Sequence, residues 1–96
     1  MLTLDKIKAV VSKYGREYGI KSAYLFGSYA KGDAKEGSDV DLLIEKGDIT
    51  TYKQFSGFLY AIEDELGTHV DLLTDKSIKP RFFELIKNDR ILLYGA

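Results

Sequence analysis

Cysteine is absent from this 96-residue chain. That excludes a disulfide framework and a thiolate metal site, and it suits a reducing cytoplasm. A surplus of charge is missing too: 14 Lys and Arg face 15 Asp and Glu, a formal net charge of −1. Without a basic excess, extensive contact with a nucleic-acid backbone is not expected. No apolar run approaches the ~20 residues that span a bilayer, and the amino-terminal segment carries no signal-peptide pattern. These absences predict a cytoplasmic protein with no membrane partner. What is present is an ordinary globular mixture, 45% hydrophobic and 30% charged. Its length suits a single domain over residues 1–96.

Periodicity then orders the elements. Residues 2–18 carry Leu4, Ile7, Val10, Val11, Tyr14 and Tyr18 at spacings of three and four, which predicts an amphipathic helix with Thr3 or Asp5 near its start. A strand is expected over residues 20–26 and a second over 40–45, the latter apolar on both faces and therefore central. A helix over 51–66, with Phe55, Leu59, Ile62 and Leu66 on one stripe, stops at Gly67. A third strand follows over 69–73. After the lone Pro80 come a short helix and a last extended piece, 91–94. The helix-bearing connection between strands two and three suits a crossover better than a hairpin. The predicted class is α/β of an α+β-like kind, a small mixed sheet of three to four strands covered by helices.

Within that pattern, Asp39 and Asp41 stand two residues apart at the mouth of an apolar strand. Residues i and i+2 of a strand share a face, so the two carboxylates project side by side. Asp71 holds the second place in the next strand, in a second copy of the segment VDLL. If those strands are neighbours in register, three carboxylates converge at one end of the sheet. Like charges so close oppose folding, and a divalent cation turns the repulsion into attraction. Oxygen ligands without His or Cys favour Mg²⁺ or Mn²⁺ over zinc. Open carboxylate sites of that kind take substrate phosphates as further ligands.

Upstream, Phe26-Gly27-Ser28 ends the first strand and opens a short helical turn that includes Lys31. Glycine lets backbone N–H groups approach an anion, serine adds a hydroxyl donor, and Lys31 adds positive charge. Ten residues separate Ser28 from Asp39, giving G-S-x10-D-x-D. With the third aspartate, this motif resembles the signature of the DNA-polymerase-β-like nucleotidyltransferases. The stretches GSYAKGDAKEGSDVDLLIE, HVDLLTD and IKNDRILLYG, in so short a chain, resemble the minimal branch of that superfamily.

The resemblance implies a nucleotidyltransferase fold and a division of labour. Gly27 and Ser28, with Lys31 nearby, hold the phosphates of ATP. Asp39 and Asp41 bridge two Mg²⁺ ions (Mn²⁺ being an alternative), and Asp71 joins the second ion and helps accept the proton of the attacking hydroxyl. Many relatives have arginine where Tyr29 stands. Lys31 keeps the charge of an arginine but lacks its bidentate fork. Larger members carry an added domain for the acceptor, for which 96 residues leave no room. Small members pair with an all-helical HEPN-domain toxin and neutralise it by transferring AMP to a tyrosine, which implies an antitoxin working in a hetero-oligomer. The alternatives are a non-catalytic module that blocks its partner sterically, and transfer to a small molecule.

Other polar residues invite plainer readings. His69 shares the face of Asp71 and reads as an incidental residue at a strand edge. Glu63, Asp64 and Glu65 read as a solvated helix face, and Glu45 as a surface residue. Phe26, Phe55, Phe58 and Phe82 fit core packing, whereas Tyr14, Tyr18, Tyr52 and Tyr60 suit partly exposed helix faces.

Overall fold

The computed structural model describes residues 1–76 and 79–95. Eight elements follow one another: α1 (Leu4–Tyr18), β1 (Ser22–Phe26), α2 (Gly27–Lys31), β2 (Val40–Glu45), α3 (Tyr52–Leu66), β3 (Val70–Thr74), α4 (Pro80–Ile86) and β4 (Ile91–Gly95). The order and type of every element match the reading of the sequence. The edges move by a residue or two: β1 starts at Ser22, because Ile20 is still closing the turn out of α1, and β3 is shifted one place forward.

Local chemistry sets the helix ends. The Thr3 hydroxyl accepts the Lys6 N–H at the start of α1, and Gly19 ends it in the left-handed region. Thr51 and Gln54 form a reciprocal capping box before α3, and Gly67 terminates that helix. In α4, Pro80 occupies the first turn, where its missing N–H costs nothing.

The four strands form one mixed sheet in the order β3-β2-β1-β4. β1 runs antiparallel to both β2 and β4, and β2 runs parallel to β3 through the crossover helix α3. β2 is therefore interior, as its apolar run requires. One face of the sheet, with Ala23, Leu25, Val40, Leu42, Ile44 and Val70, is buried together with Ile7, Val10 and Val11 of α1 and Phe58, Ile62 and Leu66 of α3. Phe58 is the centre of that core, fully buried, with the Tyr18 ring set edge-on at 5.6 Å.

The opposite face is more open. There α4 sets the Phe82 ring edge-on against Phe26 at 5.9 Å, and the Arg90 guanidinium lies 4.1 Å from the centre of the Tyr24 ring. Phe82 is thus a partly exposed residue of the second face and not a member of the main core. Tyr14 and Tyr18 are half-buried against the core, while Tyr52 and Tyr60 are exposed. Among the described residues no helix is long and apolar enough to cross a membrane.

Two carboxylates of the acidic run in α3 have partners, where the sequence suggested only solvation. Glu65 accepts hydrogen bonds from Lys13 Nζ and Tyr14 Oη of α1, each at 2.9 Å, which ties the two helices together. Glu63 Oε2 accepts the backbone N–H of Val70 at 2.9 Å and so fixes the first residue of β3. Glu45 is also half-buried, accepting a hydrogen bond from the hydroxyl of the buried Ser22 at 2.6 Å. Replacing Phe58 by Ala removes the ring at the centre of the core and is expected to cost about 3–5 kcal/mol. Urea unfolding of Phe58→Ala measures this; a loss under about 1 kcal/mol contradicts the packing described.

Candidate active site

The parallel register of β2 and β3 pairs Val40 with Val70 and Asp41 with Asp71, so the second and third acids lie side by side on the open face. Asp39, two residues before Asp41, faces the same way. The antiparallel register of β1 and β2 pairs Phe26 with Asp41, which brings the turn at Gly27 onto that spot. Hydrogen bonds pin the ends: Val40 N–H donates to the His69 carbonyl at 3.0 Å, and Glu63 holds the next amide.

Oxygens of Asp39 and Asp71 and a ring nitrogen of His69 all lie within 4.8 Å of one another. His69 Nδ1 is 3.4 Å from Asp39 Oδ2 and 3.7 Å from Asp71 Oδ1. Asp41 lies deeper, half-buried, opposite Asp71 on the neighbouring strand. Asp71 is thus the acid common to both groupings. His69, which the sequence alone leaves as an edge residue, stands between two of the three acids. The signal was its position two residues before Asp71, on the same strand face.

Gly27 has φ +72°, a value that side chains rarely adopt, and a Cβ built there would run into the Asp41 carboxylate. The glycine therefore makes the sharp exit from β1 and leaves the space that Asp41 fills. α2 begins at Gly27 with no side chain capping its first N–H groups. Ser28 lies in that first turn, half-buried. Lys31, exposed at the last position of α2, lines a groove of about 210 Å³ with Gly27, Phe82, Leu85 and Asp89. Tyr29 packs against the core and borders a separate polar hollow with Ser38 and Thr68, away from that groove.

Residues 4–93 match the nucleotidyltransferase domain family. The chain belongs to that family. Its mixed four-stranded sheet with four helices matches that of a minimal nucleotidyltransferase, and the chain is an enzyme of that class. It is 36% identical over 83 residues to the protein adenylyltransferase MntA of Thermococcus cleftensis, covering 82% of this chain and 84% of that one. A solved structure described as a candidate minimal nucleotidyltransferase superposes with a TM-score of 0.80 at 28% identity, over 94% of this chain and 95% of that one. Another, a tri-AMPylated HEPN toxin of Shewanella oneidensis in complex with its MNT antitoxin, gives a TM-score of 0.71 at 20% identity, over 94% of this chain and 71% of that one. At that identity the likeness concerns the fold.

In this nucleotidyltransferase the acids repel one another, a repulsion that a cation could relieve. Partial burial, followed by the hydrogen bond and negative charge of Asp71 and the charge of Asp39, pushes the Asp41 carboxyl up to about 6, with His69 acting weakly the other way. Among the described residues no Lys or Arg forms an ion pair with Asp39, Asp41 or Asp71. Three carboxylates with a single imidazole beside them fit a hard divalent ion.

The sign of the pH effect follows. A carboxyl at about 6 in the native state and ~3.9 unfolded means that the native protein binds the extra proton. Its stabilising effect is complete below pH ~4 and is lost as the pH rises through about 6. At pH 7.5 without metal, Asp41→Asn removes the repulsion and is expected to raise the thermal midpoint by about 4 °C, allowing for solvent screening. The gain is expected to fall to about a third of that at pH 4.5. Scanning calorimetry at the two pH values measures it, and an equal effect at both contradicts the electrostatic account.

Proposed function

We propose that this nucleotidyltransferase transfers AMP from ATP to a hydroxyl of a partner protein, the hydroxyl being that of a tyrosine on a HEPN-domain toxin, and that it acts as the antitoxin of the pair. The reading is carried by the convergence of Asp39, Asp41 and Asp71 on one face of the β2–β3 pair, next to the turn at Gly27 and Ser28. It is supported by the relative named as a protein adenylyltransferase and by the similar fold in a complex with an AMPylated HEPN toxin.

Each residue then has a task. Gly27 and Ser28, at the start of α2, offer backbone N–H groups and a hydroxyl to the β- and γ-phosphates. Lys31 adds long-range positive charge from the end of α2. Asp39, Asp41 and Asp71 would hold two divalent ions, Mg²⁺ or Mn²⁺, whose chemistry is to neutralise the triphosphate and to acidify the acceptor hydroxyl. The acceptor oxygen forms a bond to the α-phosphorus in line with the bond to the β-phosphate, which breaks. Pyrophosphate leaves with the electron pair of that bond, and Asp71 takes the hydroxyl proton. Excluding bulk water from the reacting phosphate is a task left to the partner, because the face around the acids is open.

The test uses the full chain, α-labelled ATP, Mg²⁺ and a co-expressed HEPN-domain partner, following label on protein. Expected is label on the partner, reduced about 100-fold or more in Asp39→Asn and Asp41→Asn. A partner that stays unlabelled yet is inhibited equally by the wild type and both variants overturns the proposal in favour of steric blocking.

A further inference from the structure

We infer that His69 is a nitrogen ligand of the outer ion position, and that with Asp39 and Asp71 it makes this position select Mn²⁺ over Mg²⁺. The inference rests on the metal-dependent reading just given and concerns only what the third donor does to ion choice.

Distance is the first ground. Donors bound at ~2.1 Å around a tetrahedral ion lie about 3.4 Å apart, and around an octahedral one about 3.0 Å apart for neighbouring positions. His69 Nδ1 stands 3.4 Å from Asp39 Oδ2 and 3.7 Å from Asp71 Oδ1. The two carboxylate oxygens lie within 4.8 Å of each other. These separations are close to the edges of a coordination shell, and small rotations of exposed side chains would complete it.

The second ground is how the ring is placed. The backbone of residue 69 is not a loose strand end. Its carbonyl takes the Val40 N–H at 3.0 Å, the Thr68 hydroxyl reaches the Ser38 carbonyl at 3.5 Å, and Glu63 holds the Val70 amide. These contacts lock the step before β3 against the step before β2. Position 69 is thereby set opposite Asp39, as Asp71 is set opposite Asp41. The side chain itself is 61% exposed, with Asp39 and Asp71 as its ionic partners among the described residues. Core packing therefore does not account for its orientation toward the acids.

Chemistry supplies the third ground. Carboxylates alone suit Mg²⁺, which is small, strongly hydrated and indifferent to nitrogen. An imidazole beside them favours ions from Mn²⁺ onward in the first transition row, in rising order. Mn²⁺ is the member of that row that also accepts oxygen-rich, water-retaining sites. The outer position, with one nitrogen and two carboxylates, fits it. The other ion position keeps oxygen donors alone and suits Mg²⁺.

The experiment titrates the full chain with Mn²⁺ alone, following free ion by electron paramagnetic resonance, and repeats it with Mg²⁺ as competitor. Wild type, His69→Ala and Asp39→Asn are compared, and pulsed resonance on the Mn²⁺-loaded wild type reads nitrogen coupling. Expected is Mn²⁺ binding at least about tenfold tighter than Mg²⁺, a loss of about tenfold or more in His69→Ala with Mg²⁺ affinity little changed, and a ¹⁴N coupling that disappears in that variant. Equal Mn²⁺ affinity in wild type and His69→Ala, or a wild type without nitrogen coupling, overturns the role of His69 while leaving a carboxylate site and the transferase reading intact. Failure of both ions to bind any form overturns the two together. A melting curve of His69→Ala, whose side chain lies outside the core, separates a lost ligand from a lost fold.

Discussion

Repulsion among carboxylates held by a parallel pair of strands is the constraint on which the rest of this structure turns. β2 and β3 are aligned so that Asp41 meets Asp71 and Val40 meets Val70. One register therefore serves two purposes. It packs the valines into the core and presents the acids together on the other face. A slip of one residue would bury the acids and expose the valines, so the hydrophobic effect fixes the charge cluster in place. The cost appears at Asp41, whose proton is held up to about 6. Local stability is given up at the site proposed to hold a cation.

The remainder of the fold reads as support for that alignment. α1 and α3 cover one face and are joined to each other through Glu65. α3 also makes the crossover that allows β2 and β3 to run parallel, and its Glu63 meets the first amide of β3. Gly27 closes the arrangement from β1, since any side chain there would collide with Asp41. Among the described residues the second face is covered by the short α4 and by α2, and Asp39 and Asp71 stay exposed. Leu85 of α4, 72% exposed, belongs to that side.

Much of this was legible in the sequence, and the reasons differ from place to place. The alternation of helices and strands follows from periodicity and from the glycine stops. The convergence of Asp39, Asp41 and Asp71 follows from period-two geometry once two strands are taken as neighbours. What escaped was non-local. His69 acquires its place from the hydrogen bond of its carbonyl to Val40, a pairing across the sheet that no local pattern reports. Glu63 and Glu65 looked like neighbours on a solvated helix, yet one turns back to the next strand and the other across to α1. Phe82 looked like core by composition. The exposed second face that it partly covers is decided by where α4 lands. Lys31, at the last position of α2, lines one groove with Gly27 and α4.

The central claim, that the acids are forced together and relieved by a divalent cation, is tested most directly by the titration of Asp41 itself. Carbon-detected NMR of its side-chain carboxyl, on the full chain with and without saturating Mg²⁺, reads the proton affinity in each state. The account predicts an apparent pKa of about 6 in the metal-free protein, falling below the ordinary ~3.9 of an aspartate when Mg²⁺ is bound. An Asp41 that titrates near ~3.9 without metal and does not respond to Mg²⁺ would contradict it.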